Sequence, residues 1–216
     1  MIEVKSITKS YEDITPLQDA NFCIDGGDFV SVIGPSGSGK TTLLNVMAGL
    51  LTPTEGQVVV DEVSLYELNQ RNRVAFRRRN FGFIFQSFNL ISYFTAVENV
   101  EVPLYLAGEK KKRQRYVAQE LLARVGLEDK GDRFPSQLSI GEQQRVVIAR
   151  TLANSPRIIF ADEPTGNLDG KAGKVIMNYM KELNELGVTI LLVTHDLEMA
   201  NFAKRKIELA DGRLLL

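Results

Sequence analysis

Apolar positions along the chain follow two alternating rhythms. Short, β-branched runs of strand length are separated by longer stretches in which apolar residues recur three and four apart. Ile2–Ile7 and Leu17–Ile24 predict strands, with a turn-rich segment around Glu12–Pro16 between them. Phe29–Ile33 (FVSVI) predicts a buried strand, and Leu43–Ala48 predicts the helix that follows it. Next come a turn at Pro53–Gly56, a strand at Gln57–Asp61, a helix at Asn69–Arg79 and a strand at Phe81–Phe85. The helix ends in three arginines, which suits the negative end of its dipole. Ala96–Ala107 and Arg115–Val125 predict helices, with the basic run Glu109–Arg115 as a solvent-facing turn between them. A long helix opens within Leu138–Arg145 and runs to about Ala153, before Pro156 breaks the chain. Arg157–Ala161 predicts a buried strand, Lys171–Leu186 a helix and Val188–Thr194 the last central strand. Arg205–Ala210 and Arg213–Leu215 pair as a terminal hairpin around Asp211-Gly212. Strands alternating with helices predict an α/β fold.

Between the strand Phe29–Ile33 and the helix Leu43–Ala48 lies Gly34-Pro35-Ser36-Gly37-Ser38-Gly39-Lys40-Thr41-Thr42. It fits G-x-x-x-x-G-K-[ST] at every fixed position, in the strand–turn–helix context that gives this motif its meaning. Gly37 and Gly39 let the backbone close around phosphates, because no Cβ blocks the approach. The amides of such a loop point inward, and the helix N-terminus adds partial positive charge. Lys40 supplies a full charge to the β- and γ-phosphates, the Thr41 hydroxyl can ligate Mg²⁺, and Thr42 can hold the α-phosphate. This loop alone says "binds a nucleoside triphosphate".

Three other strands end in polar groups. Phe81–Phe85 ends at Gln86, Arg157–Ala161 ends at Asp162-Glu163, and Val188–Thr194 ends at His195, the single histidine of the chain. Open α/β sheets place ligand groups at the carboxyl ends of their strands, so these residues are expected beside the P-loop. Adjacent carboxylates at a strand end are costly to bury without a cation or a task. Asp162 suits Mg²⁺, bound through a coordinated water, and Glu163, on the other side of the pleat, can reach a water at the γ-phosphate. Ser139 and Glu142 form a capping box, and the helix start Ser139–Gly141 is also a second anion site. Tyr11 sits in a turn and reads as a half-buried rim residue, though its ring is also placed to stack on a base. The loop Ser87–Phe94 is rich in large apolar side chains, and two readings stand: local core, or an exposed patch for a partner.

Composition narrows the setting. The 216 residues are 44% apolar and 25% charged with net charge −1, an ordinary globule with no global pull toward nucleic acid or an anionic surface. One cysteine, Cys23, excludes an intrachain disulfide and is expected to be a small buried hydrophobe, in keeping with a reducing, cytoplasmic setting. No signal-like N-terminal segment is visible. No apolar run approaches the roughly 18–20 residues that span a bilayer, so any membrane role is expected to be peripheral.

Taken together, these pieces resemble the ATP-binding subunit of ABC transporters over essentially the full length. Tyr11 matches the family's adenine-stacking aromatic, 34–42 its Walker A motif and Gln86 its Q-loop glutamine. LSIGEQQR at 138–145 matches the signature, IIFADE at 158–163 Walker B with its catalytic glutamate, Asn167-Leu168-Asp169 the D-loop, and His195 the switch histidine. FQSFNLI at 85–91, TAVENVEVPL at 95–104, GEQQR at 141–145 and DEPTGNLD at 162–169 are similar to the lipoprotein-release, macrolide-efflux and cell-division type of ATPase.

The resemblance implies a P-loop NTPase (RecA-like) core with a parallel central sheet, an N-terminal antiparallel β subdomain and an inserted α-helical subdomain. Residues 1–86 and 156–216 would form the β subdomain and nucleotide core, and 87–155 the helical lobe. It implies ATP and Mg²⁺ as ligands, with Gln86 sensing the metal and Glu163 polarising the attacking water. His195 would contact the γ-phosphate and help position that water. It also implies two chains paired head to tail, as homodimer or heterodimer. Ser139, Gly141 and Asp169 would then meet the nucleotide held by the other chain. A separate integral membrane permease subunit would be the coupled partner, docking at Phe88–Phe94 on the inner face of the membrane, and nucleic acid is not expected. The pattern departs from the family at Ile140, where a glycine is usual. Three consequences stay open: the side chain points away, it weakens the closed dimer, or it marks pairing with an unlike subunit. Rival readings are a regulatory ATPase on a non-transporting membrane partner, a soluble ABC ATPase on nucleic acid or ribosomes, and a P-loop small-molecule kinase.

Overall fold

The computed structural model describes residues 1–215. In chain order the strands are β1 (Ile2–Lys9), β2 (Leu17–Ile24), β3 (Phe29–Ile33), β4 (Glu55–Val60), β5 (Val63–Ser64), β6 (Phe81–Phe85), β7 (Ile158–Asp162), β8 (Thr189–Val193), β9 (Arg205–Ala210) and β10 (Arg213–Leu215). The helices are α1 (Lys40–Met47), α2 (Gln70–Asn80), α3 (Ala96–Leu106), α4 (Lys111–Arg124), α5 (Ile140–Leu152), α6 (Gly170–Glu185) and α7 (Leu197–Ala200). Two sheets form. One is antiparallel, ordered β2-β1-β4-β5, and the other is ordered β10-β9-β3-β8-β7-β6 and is parallel except at β10.

The parallel sheet is covered on both faces, which is why its strands are almost continuously apolar. Alternate residues divide between two cores. Ile158 and Phe160 of β7 and Leu191 and Val193 of β8 join α1 and the antiparallel sheet. Ile159, Ala161, Ile190 and Leu192 face α6 and the group α3, α4 and α5. Those three helices pack on one another and all lie between β6 and β7 in the chain. The cross-strand partners Phe85, Asp162 and Val193 lie in register, as do Val32 and Val193, so β3, β6, β7 and β8 end along one edge.

Several expectations change. Cys23 is exposed, because the buried residues of β2 are Leu17, Ala20 and Ile24, and Cys23 falls on the other face. The basic run 109–115 is no turn: its residues from Lys111 onward form the first turn of α4, held by Ala118, Leu121 and Leu122 buried further along the same helix. Packing overrides the poor fit of cations to a helix N-terminus. The Ser87–Phe94 loop divides between its two readings: Phe88 and Leu90 pack against the core, whereas Tyr93 is 75% exposed. β9 is more than half of a hairpin, since it also pairs in parallel with β3.

Candidate active site

The P-loop is built against the chain's own backbone. A Cβ on Gly34 would lie 2.0 Å from the Leu209 carbonyl oxygen, and one on Gly39 would lie 2.1 Å from that of Pro16. Both glycines also have positive φ, at 155° and 102°. Gly39 is therefore required by contact with Pro16, a different reason from the phosphate approach expected of it. Gly37, with φ of 80°, fits that expectation better: a Cβ there would meet nothing within 4 Å. The terminal hairpin supports the loop from behind, as the Gly212 N–H donates to the Ser38 carbonyl at 3.1 Å. Pro16, Gly37, Gly39, Lys40, Thr41 and Thr42 line a pocket of about 170 Å³. Lys40 is largely buried, and its Nζ donates to the Gly34 and Pro35 carbonyls, each at 2.8 Å. The Ser38 hydroxyl is buried without a hydrogen-bond partner among the described residues.

Asp162 ends β7 on the α1 side of the sheet, the parity of Ile158 and Phe160. The Thr41 hydroxyl donates to its Oδ1 at 3.3 Å. Burial raises the Asp162 carboxyl above the usual carboxylate range; the Thr41 hydrogen bond opposes this, the charge of Glu163 adds to it, and Lys40 opposes it. A cation at this carboxylate would relieve the same penalty.

Glu163 turns out of the strand with φ of 47°, the left-handed region. Its N–H still donates to the Val193 carbonyl at 2.9 Å, so the turn stays pinned to β8. Its side chain is 14% exposed and is held from three directions. The Thr194 hydroxyl donates to Oε2 at 3.0 Å, the His195 N–H donates to Oε1 at 2.9 Å, and His195 Nδ1 lies 2.6 Å from Oε1. The His195 side chain itself is 64% exposed. Thr194, fully buried, was not among the expected site residues. Its signal in the sequence was a hydroxyl residue between an apolar strand and the histidine.

Gln86 lies at the end of β6, two strands from β8 and next to β7. Its side-chain Nε2 would be 3.1 Å from a Cβ on Gly166, and its backbone carbonyl accepts from Asn167 Nδ2 at 2.8 Å. Among the described residues no hydrogen bond joins it to Thr41 or Asp162, so the structure groups it with the segment Pro164–Asp169. Tyr11 is 49% exposed, with Lys9 Nζ 4.9 Å from its ring centroid, and among the described residues no hydrogen bond joins it to the P-loop. Ser139 caps α5: its hydroxyl accepts from the Glu142 N–H at 3.3 Å, and Glu142 Oε2 accepts from the Ser139 N–H at 2.8 Å. A Cβ on Gly141 would sit 3.8 Å from that of Ala172, so the start of α5 abuts the first turn of α6. Asp169 caps α6, with Oδ1 accepting from the N–H groups of Lys171 and Ala172. Ile140 is 52% exposed. The structure thus brings together Lys40, Thr41, Asp162, Glu163 and His195, and leaves Ser139–Gly141 facing outward on a separate helix.

The family model described as "ABC transporter" matches residues 17–166. An uncharacterized ABC transporter ATP-binding protein, MJ1508 of Methanocaldococcus jannaschii, is 48% identical over 100% of this chain and 98% of its own length. The macrolide export ATP-binding/permease protein MacB of Vibrio parahaemolyticus is 45% identical over the whole chain, which spans 34% of that protein. Among solved structures, the ATP-binding cassette MJ0796 in a dimeric post-hydrolysis state bound to ADP and Pi superposes with a TM-score of 0.93 at 44% identity, over 100% of this chain and 97% of that one.

Proposed function

The chain belongs to the ABC transporter family, and on that premise we propose that it is an ATPase subunit that works as one half of a head-to-tail dimer and drives a separate membrane subunit. One observation carries the reading. A loop able to hold a triphosphate, a half-buried acid pair and a histidine meet at one sheet edge, while an exposed capped helix start is turned toward a neighbour.

In this reading Lys40 leaves the carbonyls of Gly34 and Pro35 for the β- and γ-phosphates, and the amides of Ser36–Thr41 close around them. Thr42 takes the α-phosphate, and the Tyr11 ring covers the base. Thr41 and Asp162 are hard oxygen ligands, a set that suits Mg²⁺. Among the described residues no group of three or more acidic, histidine or cysteine side chains is placed to hold a metal, so the remaining ligands would come from water and the substrate. When bound, Mg²⁺ would supply charge neutralisation at the β- and γ-phosphate oxygens. Glu163 accepts a proton from the attacking water, aimed by Thr194 and the His195 backbone, and His195 turns toward the γ-phosphate. Gln86 would report the state of the site. Ser139, Gly141 and Asp169 of one chain would complete the site of the other. That the MJ0796 cassette is dimeric in a post-hydrolysis state bound to ADP and Pi supports the pairing of two cassettes.

No described helix is long and apolar enough to cross a membrane, so coupling would require a separate or appended membrane element. Residues 87–155 would move as a lobe on the core formed by 1–86 and 156–216. The dock expected at Phe88–Phe94 is better sought beside it, since Phe88 and Leu90 are engaged in the core. A groove of about 490 Å³ lies next to this loop, lined by Val74, Phe83, Phe85 and Leu106 with Arg78 and Arg150. The location follows as peripheral, on the cytoplasmic face. The test is phosphate release by the purified chain with and without Mg²⁺, beside sedimentation with ATP. Hydrolysis together with ATP-dependent pairing is expected, and a chain that binds ATP yet phosphorylates an acceptor instead would refute it.

A further inference from the structure

Gln144 is fully buried on α5, between the helix start at Ser139 and the rest of the lobe. Its Nε2 donates to the Pro164 carbonyl at 2.6 Å, and its Oε1 is buried with no hydrogen-bond partner among the described residues. The amide orientation is settled by chemistry, because a carbonyl can only accept. A buried amide that satisfies one end and leaves the other orphaned is a poor stabiliser of a core. An apolar side chain of equal volume would fill this position without the orphaned oxygen.

Pro164 is bonded to Glu163, whose backbone holds the left-handed φ of 47°. A non-glycine residue held in that region is strained and keeps that conformation only where its surroundings impose it. Following proline restricts Glu163 further. The Glu163 side chain is held by Thr194 and His195, and the backbone of this turn is held by three contacts: Glu163 N–H to Val193, Gly166 N–H to the Glu163 carbonyl at 3.1 Å, and Gln144 to Pro164. The first two lie within the sheet edge and the turn itself. Gln144 is the restraint that comes from α5.

We infer that Gln144 is a positioning residue that ties the geometry of Glu163 to the state of the α5 helix start, and so links one nucleotide half-site to the other. The inference rests on the head-to-tail reading above. A neighbour's nucleotide touches α5 at Ser139 and Gly141. A helix moves as a rigid rod over so short a span. Gln144, five residues on, carries that movement to the Pro164 carbonyl and thereby to the strained Glu163 peptide. Glu163 is aimed for hydrolysis when the neighbouring site has closed on α5.

The test uses the full chain with Gln144→Met, which keeps the volume and removes the amide, and Gln144→Asn, which keeps the amide and shortens its reach. ATP-dependent association, steady-state hydrolysis and thermal unfolding are measured on each. Both variants should associate with ATP as the parent does and keep KM within about twofold. kcat should fall by about 10- to 100-fold, the scale of a misplaced reacting group. The Tm of Gln144→Met should stay within about 4 °C of the parent. A kcat within twofold of the parent overturns the role of Gln144, and so does a loss of kcat that follows the loss of folded protein. A parent chain that neither pairs nor hydrolyses with ATP defeats the functional reading instead, and this inference with it.

Discussion

Glu163→Gln separates the charge of the proposed base from its shape. The carboxylate accepts from the Thr194 hydroxyl at 3.0 Å and from the His195 N–H at 2.9 Å, with His195 Nδ1 at 2.6 Å. A glutamine can keep its oxygen toward His195 and turn its NH₂ toward Thr194 Oγ1. That hydroxyl accepts only from the Asp196 N–H and has a second acceptor site free. The substitution therefore keeps the contacts to His195, reverses the one to Thr194 so that its hydroxyl proton loses this acceptor, and loses the charge-assisted part of the network, about 1–2 kcal/mol in all. For a chain of this size that is a fall in Tm of about 2–8 °C. Losing a general base is a larger effect on rate, about 10²- to 10⁴-fold, or about 2.7–5.4 kcal/mol in the barrier. Stability and rate are thus expected to separate. Stopped-flow phosphate release, titration with a fluorescent ATP analogue and sedimentation in ATP measure the three consequences. Hydrolysis should nearly vanish, nucleotide affinity should stay within a few-fold of the parent, and the ATP-bound dimer should accumulate. Turnover above about a tenth of the parent rate would refute Glu163 as the base, whatever happens to the dimer.

Lys40→Met should weaken ATP binding by about 10- to 100-fold, the worth of hydrogen bonds from a charged group, as read by the same fluorescent titration; unchanged affinity would remove Lys40 from the phosphates. Gly34→Ala should destabilise the fold more than Gly37→Ala, because only the first places a Cβ 2.0 Å from a backbone oxygen, whereas Gly37→Ala should lose ATP affinity with a smaller change in Tm; equal melting curves would contradict the contact argument. Ile140→Gly should raise ATP-dependent association if the exposed side chain obstructs the closed dimer, and unchanged sedimentation would eliminate that role. The Ser139 backbone and side-chain hydrogen bonds lower the Glu142 carboxyl. A carboxylate lowered in the folded state stabilises above its unfolded pKa, and that contribution is lost as pH falls through the folded one. Glu142→Gln should therefore flatten the acid limb of the stability curve, and a limb identical to the parent's would show that the capping box does not contribute to it.

The parts of the site that were legible in the sequence are those that depend on local pattern. A glycine-rich turn between an apolar strand and a helix, and polar residues at strand ends, are read from neighbours in the chain, and the parallel sheet then brings Gly34, Asp162-Glu163 and His195 to one edge. Packing across the chain was not legible. Pro16 and Leu209 decide why Gly39 and Gly34 must be glycine, yet they lie far from the loop in sequence. Thr194 looked like a strand residue until Glu163 turned back toward it. Phe22, Cys23 and Ile24 are three consecutive apolar residues, and the pairing of β2 with β1, not the local pattern, buries Ile24 and so turns Cys23 to the other face. The basic run at the start of α4 followed its charge pattern only until tertiary burial of Ala118 and Leu121 extended the helix through it.

Most groups proposed to meet nucleotide are already hydrogen-bonded within the chain. Lys40 holds two loop carbonyls, Ser139 and Asp169 hold helix N–H groups, and Glu163 is held by Thr194 and His195. These contacts differ in what ligand binding can exchange. Lys40 gives up neutral carbonyls for charged phosphate oxygens, so the exchange favours binding. Of the Glu163 contacts one must be released, because a base whose Oε1 faces an imidazole at 2.6 Å has that lone pair occupied. Thr194 is buried and the His195 N–H is fixed by the strand end, so neither leaves without disturbing the sheet. The imidazole is exposed and can rotate at little cost. On the proposed roles, one motion then frees the base and presents His195 to the γ-phosphate, while the buried hydroxyl and the backbone amide keep the carboxylate aimed. His195→Ala tests this division of labour: it should keep Glu163 in place and ATP bound, yet lose hydrolysis for want of the γ-phosphate contact. Retained turnover would show that the imidazole serves only to hold the resting carboxylate.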